Sequence, residues 1–367
     1  MTALRASVSS LRARPISTCS SAALRLLAGA LGIVASSLSI VGQASAQHAS
    51  PAVELGIHLA LDKLPLRDAD GGRAVVRLLK TDDNRDVAIF GMILVRASRD
   101  AIVEHVLGLR GVVVTSPSQF GVFGDPPAGW DVRDVAFDRS EYKALRSCRP
   151  GDCDFKLSTP AMTSFHAEVD WSSPNAKQQA DDVLRGQLLR LVSDYRDRGD
   201  SAMPTYDDRH GVQSANAFAA VLTQSTRILA EHAPALLRYL GTYPAGRPEG
   251  AHDFMYWSEE RRSRMRPTLT LNHVVTYAPP GEDALIVRKQ IYANHYLEAA
   301  LEVIGVKDAG TPGAAYLITV RRFRFDHLPG GILNVRGRVR NSLVEATRSD
   351  LTRERTAIER SPVASQR

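Results

Sequence analysis

Two histidines occupy positions where a polar group is unusual. Residues 268–277 (TLTLNHVVTY) and 284–297 (ALIVRKQIYANHYL) carry apolar side chains at alternate positions, and His273 and His295 fall on those apolar faces. Period-two alternation is typical of a strand with one buried face. Small-molecule sites are mostly apolar with a few polar groups, so we expect both imidazoles to contact a ligand. The alternative is that each is a core histidine bonded to a neighbour.

A second candidate is the densest aromatic string, residues 254–260 (FMYWSEE). Tyr256 and Trp257 could form a ligand platform at the mouth of a cavity, and we predict them as ligand-binding residues. The string could equally be a hydrophobic joint between two parts of the chain.

A third cluster is the loop 206–210 (YDDRH), which brings two carboxylates and an imidazole together. Such groups serve general acid–base catalysis or metal binding. Adjacent aspartates point in different directions in most backbones, however, and the spacing matches no common metal motif. We therefore interpret it as a solvated loop with a capping aspartate.

Cys148 and Cys153 enclose the tetrapeptide Arg-Pro-Gly-Asp. Pro and Gly at its centre suit a type II turn, which would bring the two thiols together. We predict a structural disulfide, because a redox pair is more typically spaced Cys-x-x-Cys and zinc needs further ligands.

Nucleophile-elbow, P-loop, zincin and dinucleotide-binding motifs are all missing from the sequence. We therefore predict no catalytic residue, no metal site and no cofactor. Whether the protein is an enzyme stays open at this stage.

The elements that position these residues lie mainly in the last quarter of the chain. A further strand is indicated by residues 314–325 (AAYLITVRRFRF), which are rich in β-branched and aromatic side chains. From Ile332 to Ile358 the apolar residues recur at helical spacing, and arginines lie off that stripe. A helix laid across an antiparallel sheet buries both apolar faces, so we predict an α+β fold in which the sheet grips a long C-terminal helix.

This element order resembles the helix-grip fold of START-like and polyketide-cyclase-like domains. The run Leu-Pro-Gly-Gly-Ile-Leu-Asn at 328–334 looks like the turn that starts the last helix in START domains. The resemblance covers residues 72–110 and 268–360, and it implies a cavity between sheet and helix. The Cys-Arg-Pro-Gly-Asp-Cys segment is also similar to one in a group of secreted bacterial proteins, a likeness that implies no activity.

The domain organisation follows from these patterns. We predict a signal peptide at 1–46, the first part of the α+β domain at 47–157, a helical insertion at 158–245, the C-terminal strands and helix at 246–360, and a polar tail at 361–367. The insertion is too long for a simple START-like connection.

The leader combines four arginines, an uncharged apolar run and the small residues Ala44 to Ala46. This pattern is typical of export, with cleavage near Ala46 and a periplasmic or secreted mature chain, although an uncleaved anchor is the alternative. The net charge is +6 for the whole chain and +2 without the leader. The positive charge concentrates after residue 320, which favours at most a weak membrane-surface contact, and we expect no nucleic-acid partner.

Together these features predict an exported protein that binds a hydrophobic or amphipathic small molecule between the sheet and the C-terminal helix. One alternative is a structural or envelope-assembly protein without a small ligand. The other is a cyclase- or hydrolase-like enzyme that uses the same cavity. A ligand site would need roughly 300 Å³ or more.

Overall fold

The computed structural model describes residues 67–107, 119–261, 265–279, 284–330 and 334–361. The predicted leader at 1–46, a strand expected at 111–116 and nearly all of the polar tail lie outside these ranges.

Ten strands run through the described chain: β1 (Val75–Leu79), β2 (Asp86–Val95), β3 (Gln119–Val122), β4 (Thr205–Tyr206), β5 (Val212–Gln213), β6 (Ala251–Glu260), β7 (Thr268–Tyr277), β8 (Ala284–Ala293), β9 (Leu297–Asp308) and β10 (Ala315–Phe325). The α-helices are α1 (Arg67–Asp70), α2 (Arg99–Leu107), α3 (Tyr142–Ser147), α4 (Thr159–Glu168), α5 (Ala176–Arg198), α6 (Ser214–His232), α7 (Pro234–Thr242) and α8 (Val335–Glu359).

Eight of these strands form one antiparallel sheet in the order β1-β2-β10-β9-β8-β7-β6-β3. The α+β fold with a long C-terminal helix is confirmed. Helices α4 to α7 fall within the predicted insertion at 158–245, and we call α3 to α7 the helical block.

The two faces of the sheet belong to separate hydrophobic clusters. Leu271, Val287 and Leu301 pack with Leu188 of α5 and Phe218 of α6 in the helical block. On the other face, Val274, Ile286 and Ile304 pack with α2 and α8. Because side chains alternate along a strand, neighbouring residues serve different layers.

Helix α8 approaches the sheet most closely near Gly91 of β2. A Cβ at Gly91 would lie 2.8 Å from Leu351 Cδ1 and 3.1 Å from Thr347 Cγ2. A side chain at this position would require Leu351 and Thr347 to shift, so the glycine allows the second half of α8 to lie close to the strand.

One strand prediction needs correction. The alternating residues Asp154 to Leu157 predict a short strand, but the structure has none there. Phe155 and Leu157 are buried, and the segment makes single backbone bonds, from Lys156 N to Asn294 O and from Asp207 N to Leu157 O (both 2.9 Å). Strand β9 was not predicted, and the aromatic string at 254–260 proves to be part of β6.

Candidate functional site

His273 lies on β7 and points into the helical block. Its Nδ1 is 3.1 Å from the Tyr195 hydroxyl, and its Nε2 is 3.5 Å from Asp253 Oδ2. The ring also lies against Tyr243, with centroids 4.3 Å apart. Only 1% of the residue is exposed. Burial lowers the pKa of His273, against the opposing attraction of Asp253, so the imidazole behaves as a neutral core group.

Lys289 of β8 is the register neighbour of His273 and is sealed in the same layer. Its ammonium pairs with Asp200 and lies 4.0 Å from the centroid of the Phe218 ring. Burial lowers the pKa of Lys289 to about 8, although Asp200 opposes this.

His295 has a different partner from His273. Its Nε2 lies 2.8 Å from Glu141 Oε1, and both side chains are 3% exposed. Phe155 lies against the His295 ring at 4.9 Å. Asp208, from the acidic loop, is 3.9 Å from Lys156 Nζ. His273, His295 and Asp208 thus each have a different partner. In the described ranges, these three residues do not form a common acid–base centre.

Tyr256 and Trp257 point to opposite faces of β6. Trp257 joins the helical-block cluster and donates from Nε1 to Asp131 O at 2.7 Å, whereas Tyr256 packs with Val274 on the α8 face. The expectation that His273, His295, Tyr256 and Trp257 share one cavity beneath the C-terminal helix is therefore wrong. Of the four, only Tyr256 faces α8.

The face beneath α8 carries a row of charged side chains. In the strand register, one row crosses Phe254, Val274, Arg288, Glu302 and Arg321. Glu302 lies between the two arginines, with Oε1 2.6 Å from Arg321 Nε and Oε2 2.5 Å from Arg288 Nη2. Arg321 Nη1 then donates to Asp350 of α8 at 2.7 Å. Burial opposes ionisation of Glu302, but the two guanidinium groups outweigh it and lower its pKa to about 2.

The same face is less completely covered than the face under the helical block. Half-buried apolar side chains occur on both elements: Phe254, Leu297 and Phe323 on the sheet, and Val339, Leu343 and Val344 on α8. All six of these residues belong to or pack against one cluster, and those on α8 lie in its first half. We call the region between these side chains the α8 cleft.

Polar groups line the sheet side of the α8 cleft. Asn272 and Gln290 are register partners, and Tyr256 is the next partner of Asn272. Arg288 lies one row further along, with Nε and Nη2 buried and Nη2 2.5 Å from Glu302 Oε2. Alternation along β8 places Arg288 and Gln290 on one face, but it does not reveal what covers that face.

The predicted disulfide is present. Cys148 and Cys153 are bonded, and both are buried in the cluster beneath the helical block. In the described ranges, no group of three or more His, Cys, Asp or Glu side chains is arranged to hold a metal ion. None of the described helices combines the length and apolar character that crossing a bilayer requires.

Comparison of the chain with protein-family models, with curated proteins and with solved structures found no match.

Proposed function

We propose that this protein binds a hydrophobic or amphipathic small molecule in the α8 cleft. The observation that carries the proposal is the set of half-buried apolar side chains on the facing surfaces of the sheet and of α8. Partly exposed apolar groups that face each other gain free energy when a ligand displaces water from both, at about 25 cal/mol per Å² of apolar surface.

The composition of the cleft supports an amphipathic ligand in particular. Apolar walls from Phe254, Phe323 and Leu343 adjoin the polar groups of Asn272, Gln290 and Arg288. Ligand sites are typically apolar with a few polar groups that fix orientation. The START-like resemblance implies a cavity in the same place, between sheet and last helix.

The mature chain acts outside the cytoplasm, after export and cleavage near Ala46. One observation supports this part of the proposal: the Cys148–Cys153 disulfide is typical of oxidising compartments.

The outer side of α8 supplies a weak contact with anionic membrane surfaces. Three exposed arginines, Arg348, Arg353 and Arg360, line a shallow depression of about 620 Å³ there, together with Glu345, which lies 3.8 Å from Arg348. Each such arginine adds roughly 1 kcal/mol of attraction near an anionic surface. Flotation with vesicles containing phosphatidylserine at low and high salt tests this contact, which should disappear at high salt.

A structural role without a small ligand is favoured by one feature, the tightly closed layer under the helical block. A closed layer of this kind is what a structural protein needs. Whether a small molecule binds in the α8 cleft therefore distinguishes the ligand-binding role from the structural role.

Native mass spectrometry of protein recovered from the periplasm tests the proposal. We expect an adduct of small-molecule mass on the wild-type chain, which solvent extraction then identifies. Ala300 lies opposite Phe323 on β9 and is half-buried, so Ala300→Trp should fill the cleft and remove the adduct. Ala220→Trp, on the exposed side of α6, is the matched control and should keep it. A clean apo mass for the wild type, with no thermal shift across a lipid panel, would favour the structural role.

A further inference from the structure

Strand β3 forms one edge of the eight-stranded sheet and pairs, among the described strands, with β6 alone. Natural proteins protect such edges with charged side chains or proline, because unpaired backbone groups attract further strands. The edge at β1 follows this rule, since Arg77 is exposed there. Residues Gln119–Val122 of β3 contain neither a charge nor a proline. The β3 edge is therefore open to another strand.

The hydrogen bonds between β3 and β6 show which backbone groups point outward. Phe123 N donates to Met255 O at 3.0 Å, so the backbone groups of Phe123 face β6. Bonded and non-bonded pairs alternate along an antiparallel ladder, which places Phe120 and Val122 in non-bonded pairs with β6. Their N–H and C=O groups therefore point away from β6. The edge offers the donors and acceptors of these two residues to a further strand.

Exposed aromatic side chains flank this edge on both faces of the sheet. Phe120 is 47% exposed and lies on the same side as Val122, which packs against the cluster under α8. Trp130 is 72% exposed and belongs to a short helical turn whose Val132 is buried in the cluster under the helical block. Because an aromatic side chain buries about 150–250 Å² when it is covered, these two expose roughly 250 Å² together.

We propose that β3 pairs antiparallel with β3 of a second copy of this chain, which joins the two sheets into one. With the two-fold axis at Gly121, Phe120 of each copy lies opposite Val122 of the other. The outward N–H and C=O groups of these residues then exchange hydrogen bonds in both directions at each pair. Phe120 and Val122 also meet on one face, as an aromatic and β-branched cross-strand pair.

The charge pattern of the two sheet edges supports self-pairing at β3. Self-pairing brings identical side chains together near the axis, so a charged residue there would meet its like. The central residue of β1 is Arg77, whereas β3 has the uncharged Gly121 near its centre. The contact area at β3 is small beside the 1,200–2,000 Å² of a standard interface, so we expect a weak dimer with a dissociation constant of roughly 1–100 μM.

Sedimentation velocity of the mature chain from about 1 to 500 μM tests the proposal, and the wild type should shift from monomer to dimer across this range. Val122→Pro removes an outward N–H without breaking a bond to β6, so it should weaken association about tenfold or more. Leu78→Ser, at an exposed apolar residue of β1, is the matched control and should leave association unchanged. A wild type that stays monomeric, or a dimer that only the control abolishes, would overturn the proposal.

A charge exchange at Phe120 tests the two-fold register without a proline, and it decides alone if Val122→Pro does not fold. The two copies of residue 120 are diagonal neighbours on one face near the axis. Phe120→Arg and Phe120→Glu should each dimerise about tenfold more weakly than the wild type, and an equal mixture of the two should regain most of the association, because opposite charges then meet. Variants that dimerise like the wild type, or a mixture that associates no better than either variant alone, would contradict the pairing of β3 with itself.

Discussion

The two faces of the sheet differ in how completely helices cover their side chains. Beneath the helical block, the side chains of the central strands β7 to β9 are buried, including His273 and Lys289. Beneath α8, the same strands carry buried residues such as Val274 and Ile286 together with half-buried ones such as Thr270, Arg288 and Ala300. One sheet thus presents a closed layer on one side and a layer of mixed burial on the other. This difference is the reason that the proposed ligand site lies on the α8 face.

Adjacent residues of β8 show the contrast at the scale of single side chains. Lys289 is sealed with Asp200 between aromatic rings, and its pKa falls to about 8 because of burial. Arg288 points to the other face, where its Nη2 lies 2.5 Å from Glu302 Oε2. Each of the two neighbouring cations therefore has its own carboxylate partner, one on each face of the sheet.

The largest expected effect compares one phenylalanine from each face. Phe218→Ala should destabilise the protein by about 3–5 kcal/mol, because this fully buried ring leaves a cavity. Phe323→Ala should cost less than about 2 kcal/mol, because Phe323 is half-buried and water can fill the space. Urea denaturation midpoints with unchanged slopes measure both losses. Equal losses would remove the distinction between the faces.

The charged row beneath α8 should be visible as acid sensitivity. Glu302 has a pKa of about 2 in the folded protein, against a usual value of 4.5. A lowered carboxylate pKa adds stability above the unfolded value, about 3 kcal/mol here, and this is lost as the pH falls from about 5 toward 2. Glu302→Gln should flatten that part of the stability profile, while Glu345→Gln, at an exposed residue, should not. Identical profiles for wild type and Glu302→Gln would contradict the ion network.

The disulfide lies in the hydrophobic cluster beneath the helical block, so we expect it to stabilise that side of the sheet only. Replacing both Cys148 and Cys153 with Ser should cost about 2 kcal/mol, the chain-entropy value for so short a loop. Reduction of the wild-type protein should give the same loss in thermal or urea unfolding. Binding of the apolar dye N-phenyl-1-naphthylamine in the α8 cleft should not change, and a loss of binding would show that the two faces are coupled.

Lys289 gives the smallest predicted effect, at alkaline pH. Its folded pKa of about 8 lies below the usual 10.5, so the folded chain releases the proton first and stability rises with pH in that window. The gain from this group between pH 8 and pH 9.5 is about 1–2 kcal/mol. Lys289→Met should lack this gain in stability. Tyrosines also titrate at alkaline pH, so the difference between the stability profiles of the wild type and the variant measures the contribution of Lys289 alone. If the stability of the two proteins changes with pH in the same way, the pKa of Lys289 is not lowered by burial.

The sequence predicted much of the fold, since alternation fixed β7 at 268–277 and put His273 on its apolar face. It missed β9, because Glu298 and Glu302 interrupt the apolar pattern of that strand. Their charges are balanced by Arg85 and Arg321, which lie far away in the chain. Single-strand patterns cannot show such partners.

The candidate site was harder to predict for a related reason. Alternation assigns residues to two faces but does not say which helix covers each face. His273 and His295 were therefore expected beneath the C-terminal helix, although the helical block covers them. The ion pair of Arg288 with Glu302 depends on the pairing of β8 with β9, which a single-strand pattern does not show.

A titration with N-phenyl-1-naphthylamine tests the central claim most directly, because it asks whether the α8 cleft admits an apolar molecule. The wild-type chain and Ala220→Trp should each bind the dye saturably at one site, and Ala300→Trp should not bind it. Absence of saturable binding to the wild type, or equal binding by both tryptophan variants, would contradict the assignment of the α8 cleft as the ligand site.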